Sequence, residues 1–171
     1  LERYGNGFLV TDVHHNRVLR VTRDGDVSEL ITFGNIVPTG LALVGGLVFM
    51  AEAGPVPHLP EKRKVIAFGP WQHFVWEVAS GAPLLVDVEL SRGFVLFPLS
   101  QGTWDGVAEG TPALPFTGSL VRATLAGEFQ VVVDGLNIPT SFEVIGDTAY
   151  VVSLVGEIWR IDQISRRRPR R

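Results

Sequence analysis

The chain has 171 residues, 46% hydrophobic and 19% charged, with no cysteine; that is enough apolar material for an ordered core, and it excludes a disordered chain, a disulfide scaffold and a thiolate metal site. The formal charge of −3 hides an asymmetry: five of the fifteen Lys and Arg are Arg166, Arg167, Arg168, Arg170 and Arg171, so ten cations face eighteen acids over the rest of the chain. An acidic body excludes a nucleic-acid-binding face, which needs clustered cations to release counterions from phosphates, and the arginines read as a solvated, disordered tail over 163–171.

In chain order the predicted elements are short strands divided by glycine-rich turns. The segment after each tight turn repeats: Phe8–Asp12, Leu47–Glu52, Phe94–Leu99 and Thr148–Ser153. A second strand follows each of these, at Arg17–Val21, Lys64–Phe68, Ser119–Ala123 and Glu157–Ile161. A third follows in three copies, at Val27–Phe33, Phe74–Ala79 and Phe129–Val133, and a fourth leads into the next copy at Thr39–Val44, Leu84–Leu90 and Thr140–Ile145. Four-stranded units repeating every 40 to 50 residues or so predict an all-β fold, a β-propeller with four-stranded antiparallel blades. The units begin near 1, 38, 83 and 139, since Leu1–Tyr4 stacks on Leu41–Val44 and Phe142–Ile145. About four blades are expected within 1–162, opening in an innermost strand and closing after a third, as part of a larger ring. A complete four-bladed ring is the alternative.

Residues 30–51 carry no charge, a length that matches a membrane span. Gly34, Pro38, Gly40, Gly45 and Gly46 would break such a helix repeatedly, so no membrane span is expected.

The turns sort by face. Tight turns such as Gly45-Gly46 and Gly146-Asp147 fall on one face, and the other carries two insertions, Ala53–Arg63 and Gln101–Gly118. A site is expected on that second face. There Asp12, Glu52 and Ser153 end strands, Thr39 and Thr140 begin them, and His14, His15 and Asn16 occupy a short loop. Carboxylates beside imidazoles suit a divalent cation, Ca²⁺ or Mg²⁺, with Asp12 and Glu52 as candidate ligands. Asp12 fits a turn cap at least as well, and the paired histidines fit an exposed loop. The proline-stiffened first insertion is expected to lay His58 over the channel mouth or to pack it on a neighbouring blade, and the second offers Trp104, Asp105 and Glu109 to a small molecule. Trp71, Trp76 and Trp159 read as blade packing. No Gly-x-Ser-x-Gly elbow, phosphate-binding glycine loop or His-Glu-x-x-His is present.

Asp12–Val21, in which an Asp ends one strand before a loop and Asn16 and Arg17 lead into the hydrophobic start of the next, resembles the NHL-type repeat. The stretches Phe33–Gly40, Ser80–Glu89, Pro139–Ser141 and Gly156–Asp162 are similar to the ScyD/ScyE family of bacterial propeller proteins. The resemblance implies a six-bladed ring, export to the periplasm or beyond, and no catalytic residues to carry over. The expected function is a non-catalytic binding propeller holding a small molecule or a protein partner through Glu52, His58, His14, Thr39, Thr140 and Trp104. Alternatives are a metal-assisted lactonase or lyase of the gluconolactonase or streptogramin lyase type, with Asp12, Glu52 and His14 as metal or acid/base groups, and a repeat used only for assembly.

Overall fold

The computed structural model describes residues 1–56, 58, 64–69, 72–108 and 110–166. Trp71, Glu109, much of the first insertion and the last arginines lie outside these. The described residues form strands and no helix. Blade 1 is β1 (Glu2–Tyr4), β2 (Gly7–Asp12), β3 (Arg17–Val21) and β4 (Val27–Thr32). Blade 2 is β5 (Pro38–Val44), β6 (Leu47–Glu52), β7 (Lys64–Gly69) and β8 (Gln72–Ser80). Blade 3 is β9 (Leu85–Leu90), β10 (Leu96–Ser100), β11 (Gly118–Ala123) and β12 (Phe129–Leu136), and blade 4 is β13 (Pro139–Ile145), β14 (Thr148–Ser153) and β15 (Ile158–Asp162). Each sheet is antiparallel with its strands in chain order. This is a β-propeller, as the repeat predicts.

Local chemistry accounts for the meander. The turn between β5 and β6 places Gly45 and Gly46 at φ 55° and 83°, the left-handed pair that a two-residue hairpin requires. Alternation along each strand then sends successive side chains to the two neighbouring blades. Leu9 and Val18 meet Leu41, Val48, Met50 and Phe68 between blades 1 and 2. Ala42, Ala51 and Val65 meet Leu85, Val88 and Val121 between blades 2 and 3. Phe97, Leu99 and Leu120 meet Phe142, Ala149 and Val151 between blades 3 and 4. Each fully buried Leu or Phe here contributes roughly 1.5–3 kcal/mol. Ile164, beyond β15, is fully buried in the last of these clusters. Trp159 packs against the same cluster, whereas Trp76 on β8 is 36% exposed beside Phe74.

The inner strands β1, β5, β9 and β13 lie about a common centre, and polar bonds cross from blade 1 to 2, from 2 to 3 and from 3 to 4. The Thr11 hydroxyl donates to Thr39 O (2.7 Å), and the Thr39 hydroxyl donates to Ala51 O (3.0 Å) and Leu85 O (3.1 Å). Asp87 accepts from Phe142 N (3.0 Å) and Val88 N (2.9 Å). Gly40 sits where β5 meets β9: a Cβ there would lie 2.5 Å from Asp87 Cα and 2.8 Å from Val88 N. Each inner strand of blades 2, 3 and 4 is entered through a left-handed residue, Val37 (φ 56°), Leu84 (33°) or Ile138 (46°). The carbonyl of each accepts an N–H from just beyond the second strand, from Ala53, Gln101 and Leu154.

Candidate functional site

The inner strands enclose a cavity of about 360 Å³ lined by Leu1, Glu2, Thr39, Gly40, Leu41, Val86, Asp87, Glu89, Thr140, Ser141, Phe142 and Glu143. Strand register explains its chemistry. Glu2 pairs with Leu9, Ala42 with Phe49, Glu89 with Phe97 and Glu143 with Tyr150. Each partner stands three positions before the last residue of its strand, which is Asp12, Glu52, Ser100 or Ser153. The same position on four blades is therefore Glu, Ala, Glu, Glu. One-residue register shifts near Thr39-Gly40, Val86 and Thr140 bring Asp87 and the two threonine positions to the same wall.

The carboxyls feel one another. Burial pushes Glu89 up to about 8, with Glu143, Asp87 and Glu2 adding repulsion. Burial also raises Asp87 to about 6, opposed by its bonds from Phe142 N and Val88 N, and raises Glu2. Near neutrality the cavity thus holds ionised and protonated carboxyls together, a setting that favours an incoming cation.

Of the residues proposed from sequence, Thr39 and Thr140 reach this cavity, and Asp12, His14, Glu52, His58 and Trp104 do not line it. The Thr140 hydroxyl donates to Val152 O (3.1 Å). His58 and Trp104 come together in the loop layer, their rings edge to face with centroids 4.9 Å apart. His58 is buried and its Nδ1 donates to Gly54 O (2.7 Å), while Trp104 Nε1 donates to Thr111 O (2.9 Å). The two insertions thus pack on each other over Ala53, Leu84 and Ala113. His14 is exposed, stacked edge to face on His15. Asp12 accepts from His15 Nδ1 (3.0 Å) and from Arg17 Nε (2.9 Å), which hold its carboxyl down at about 2. Asn16 turns its Oδ1 to Ile36 N and Val37 N, anchoring the entry to β5.

Glu52 is 2% exposed and its Oε2 has no hydrogen-bond partner. It stands where Ser100 and Ser153 stand in the next blades, and those hydroxyls donate to Pro83 O and Asn137 O. Burial raises Glu52 to about 7, with Lys64 lowering it and Glu77 raising it further. Because the folded value lies above the ordinary 4.5, stability falls as pH rises from 4.5 through about 7. Glu52→Gln is expected to melt like the parent at pH 5 and to be about 1–2 kcal/mol more stable at pH 8; thermal unfolding across that range checks it.

Among the described residues no group of three or more His, Cys, Asp or Glu is arranged to hold a metal ion. Asp12 and Glu52 sit in different blades, each with the surroundings just given. No helix among the described residues is long and apolar enough to cross a membrane.

No family model and no curated protein matches the chain. Solved structures do. A gluconolactonase from Xanthomonas campestris is 13% identical with a TM-score of 0.61, over 88% of this chain and 46% of its own. Virginiamycin B lyase from Staphylococcus aureus is 15% identical with a TM-score of 0.53, over 90% of this chain and 51% of its own. A chain of the nidogen/laminin complex is 14% identical with a TM-score of 0.52, over 91% of this chain and 71% of its own. This chain spans about half the length of the gluconolactonase and lyase chains, and at these identities the likeness establishes the β-propeller fold.

Proposed function

We propose that the chain is a binding propeller whose central cavity takes a small molecule bearing a positive charge. The observation that carries this is the repeated register position that presents Glu2, Glu89 and Glu143 to one cavity, with Asp87 beside them. An ammonium or guanidinium entering there relieves repulsion among carboxyls already partly removed from water, and the hydroxyl-bearing rim at Thr39, Thr140 and Ser141 supplies orienting hydrogen bonds. The resemblance to ScyD/ScyE proteins supplies no catalytic residues, which is in keeping with a binding role, and export is its corollary. Calorimetric titration with putrescine and agmatine, and with 1,4-butanediol as the neutral control, tests it. The diamines are expected to bind, the diol to bind about ten-fold more weakly or worse, and a Glu89→Gln/Glu143→Gln double variant to lose about ten-fold in diamine affinity. Equal binding of diol and diamine, or an unaffected double variant, overturns the proposal.

A second reading, a lactonase or lyase, is favoured by a separate observation: Asp87 and Glu89, raised to about 6 and about 8, offer a base and an acid in one cavity near neutral pH. The fold likeness to a gluconolactonase and to virginiamycin B lyase is in keeping with it. Turnover of glucono-1,5-lactone above the buffer rate, with and without added Ca²⁺ or Mg²⁺, and its loss in Glu89→Gln, would support this reading; no turnover in any arm would sink it.

A further inference from the structure

A second cavity, of about 440 Å³, opens between blades 2 and 3 on the face of the tight turns, opposite the long loops. A proline stands close to it. Pro98 sits in β10, an inner-sheet strand, and has no N–H to give the ladder. Pairing between β10 and β11 is confined to Leu99↔Leu120 and Ser100↔Ser119. Toward the turns the two strands run without registered pairs, and the cavity sits at that unpaired end, bounded by Phe94, Val95 and Leu96 on one side and by Arg122, Ala123 and Thr124 on the other. The remaining wall is apolar, from Phe49, Val78 and Leu90.

Arg122 is the one charged residue among the described residues that line this cavity. It is 9% exposed, yet it belongs to none of the ion pairs among the described residues. Its Nε and Nη2 donate to Gln130 Oε1, and Nη1 donates to Ser165 O (3.4 Å). Both acceptors are neutral, so the charge is solvated by dipoles and not balanced. A guanidinium carries five N–H donors, and these bonds use one on each nitrogen, leaving one on Nη1 and one on Nη2 for a further acceptor. A buried cation without a counter-charge is costly, and an anion that completes it recovers that cost. Phe94 (72% exposed) and Leu125 (fully exposed) stand at the rim as apolar surface with nothing packed on it.

We propose that this cleft is a binding site for a small amphipathic carboxylate, its acid group on the two remaining N–H of Arg122 and its hydrocarbon body along Phe49, Val78 and Leu90. The geometry of a planar guanidinium matches a carboxylate, and the mixed wall suits one anionic end on an apolar stem. The site is independent of the acidic central cavity and has the opposite charge preference.

Octanoate and 1-octanol, equal in chain length, separate the charge from the hydrocarbon. Titrations followed by calorimetry or saturation-transfer NMR are expected to show octanoate binding about ten-fold or more tighter than octanol. Arg122→Gln is expected to bring the two within about three-fold of each other, and Val78→Phe, which fills the apolar wall and leaves Arg122 in place, to weaken both by about ten-fold. No octanoate binding, equal binding of acid and alcohol by the parent chain, or a preference that survives Arg122→Gln overturns the site. The parent ratio and Val78→Phe decide the matter even where Arg122→Gln does not fold.

Discussion

Gly40→Ala is expected to destabilise the chain by about 3 kcal/mol, a fall of roughly 6–12 °C in Tm. The added methyl would meet Asp87 Cα and Val88 N, which are backbone atoms of the neighbouring blade's inner strand and cannot rotate away. The strand itself must shift. That shift also pulls Asp87 from Phe142 N and Thr39 from Leu85 O, so two blade boundaries loosen at once. Gly34 gives the contrast, because a methyl added there meets no atom within 4 Å: Gly34→Ala is expected to change Tm by less than about 2 °C. Thermal unfolding of the two variants side by side separates the packing effect from the general loss of a glycine.

Glu89→Gln is expected to act in opposite directions on stability and on binding. The folded value of Glu89 is about 8 against an ordinary 4.5. Between those values the folded chain holds the proton that the unfolded chain has released, so stability falls as pH rises from 4.5 through about 8 and levels above it. The amide cannot ionise. At pH 8 the variant is expected to be more stable than the parent by an amount on the order of 2 kcal/mol, smaller than the full shift implies because the cavity admits solvent. At pH 5 the two should melt alike. Diamine affinity, in contrast, should fall. A variant that gains stability and loses affinity is the signature expected of repulsion retained for binding; a loss of both would mark Glu89 as a packing residue.

Much of the fold was legible in the sequence because it rests on periodic local signals. Gly45-Gly46 and the apolar runs that follow each turn specify hairpins, and the repeat of those hairpins specifies blades. Phe94 shows the limit: it reads as the first residue of a strand, but at φ 59° it belongs to the turn, and β10 begins at Leu96. The site was less legible. Chemically suggestive residues drew attention to strand ends, where Asp12 closes a turn with His15 and Arg17 and where His58 packs on Trp104. Such partners are set by tertiary packing, which no local pattern reports. The signal for Glu2 and Glu143 was nevertheless present, since stacking Leu1–Tyr4 on Leu41–Val44 and Phe142–Ile145 puts Glu2, Ala42 and Glu143 in one column. What was lacking was the knowledge that this column faces the centre. The unpaired end of blade 3 was hidden for another reason: β10 reads as a regular apolar run, and the limit of its pairing appears only when β11 is placed beside it.

The cross-blade bonds of Thr39 and Asp87 lie on the innermost strands, and that of Thr11 joins β2 to one of them. The outer strands meet more sparingly, as at the single bridge Ser80↔Glu128. A wheel fastened at its hub flexes at its rim. Thermal breathing of this molecule would therefore open the blades at the periphery first, while Asp87, bonded to Phe142 N, and Glu89 on the same strand keep their spacing from β13 through motions that wet the outer sheets.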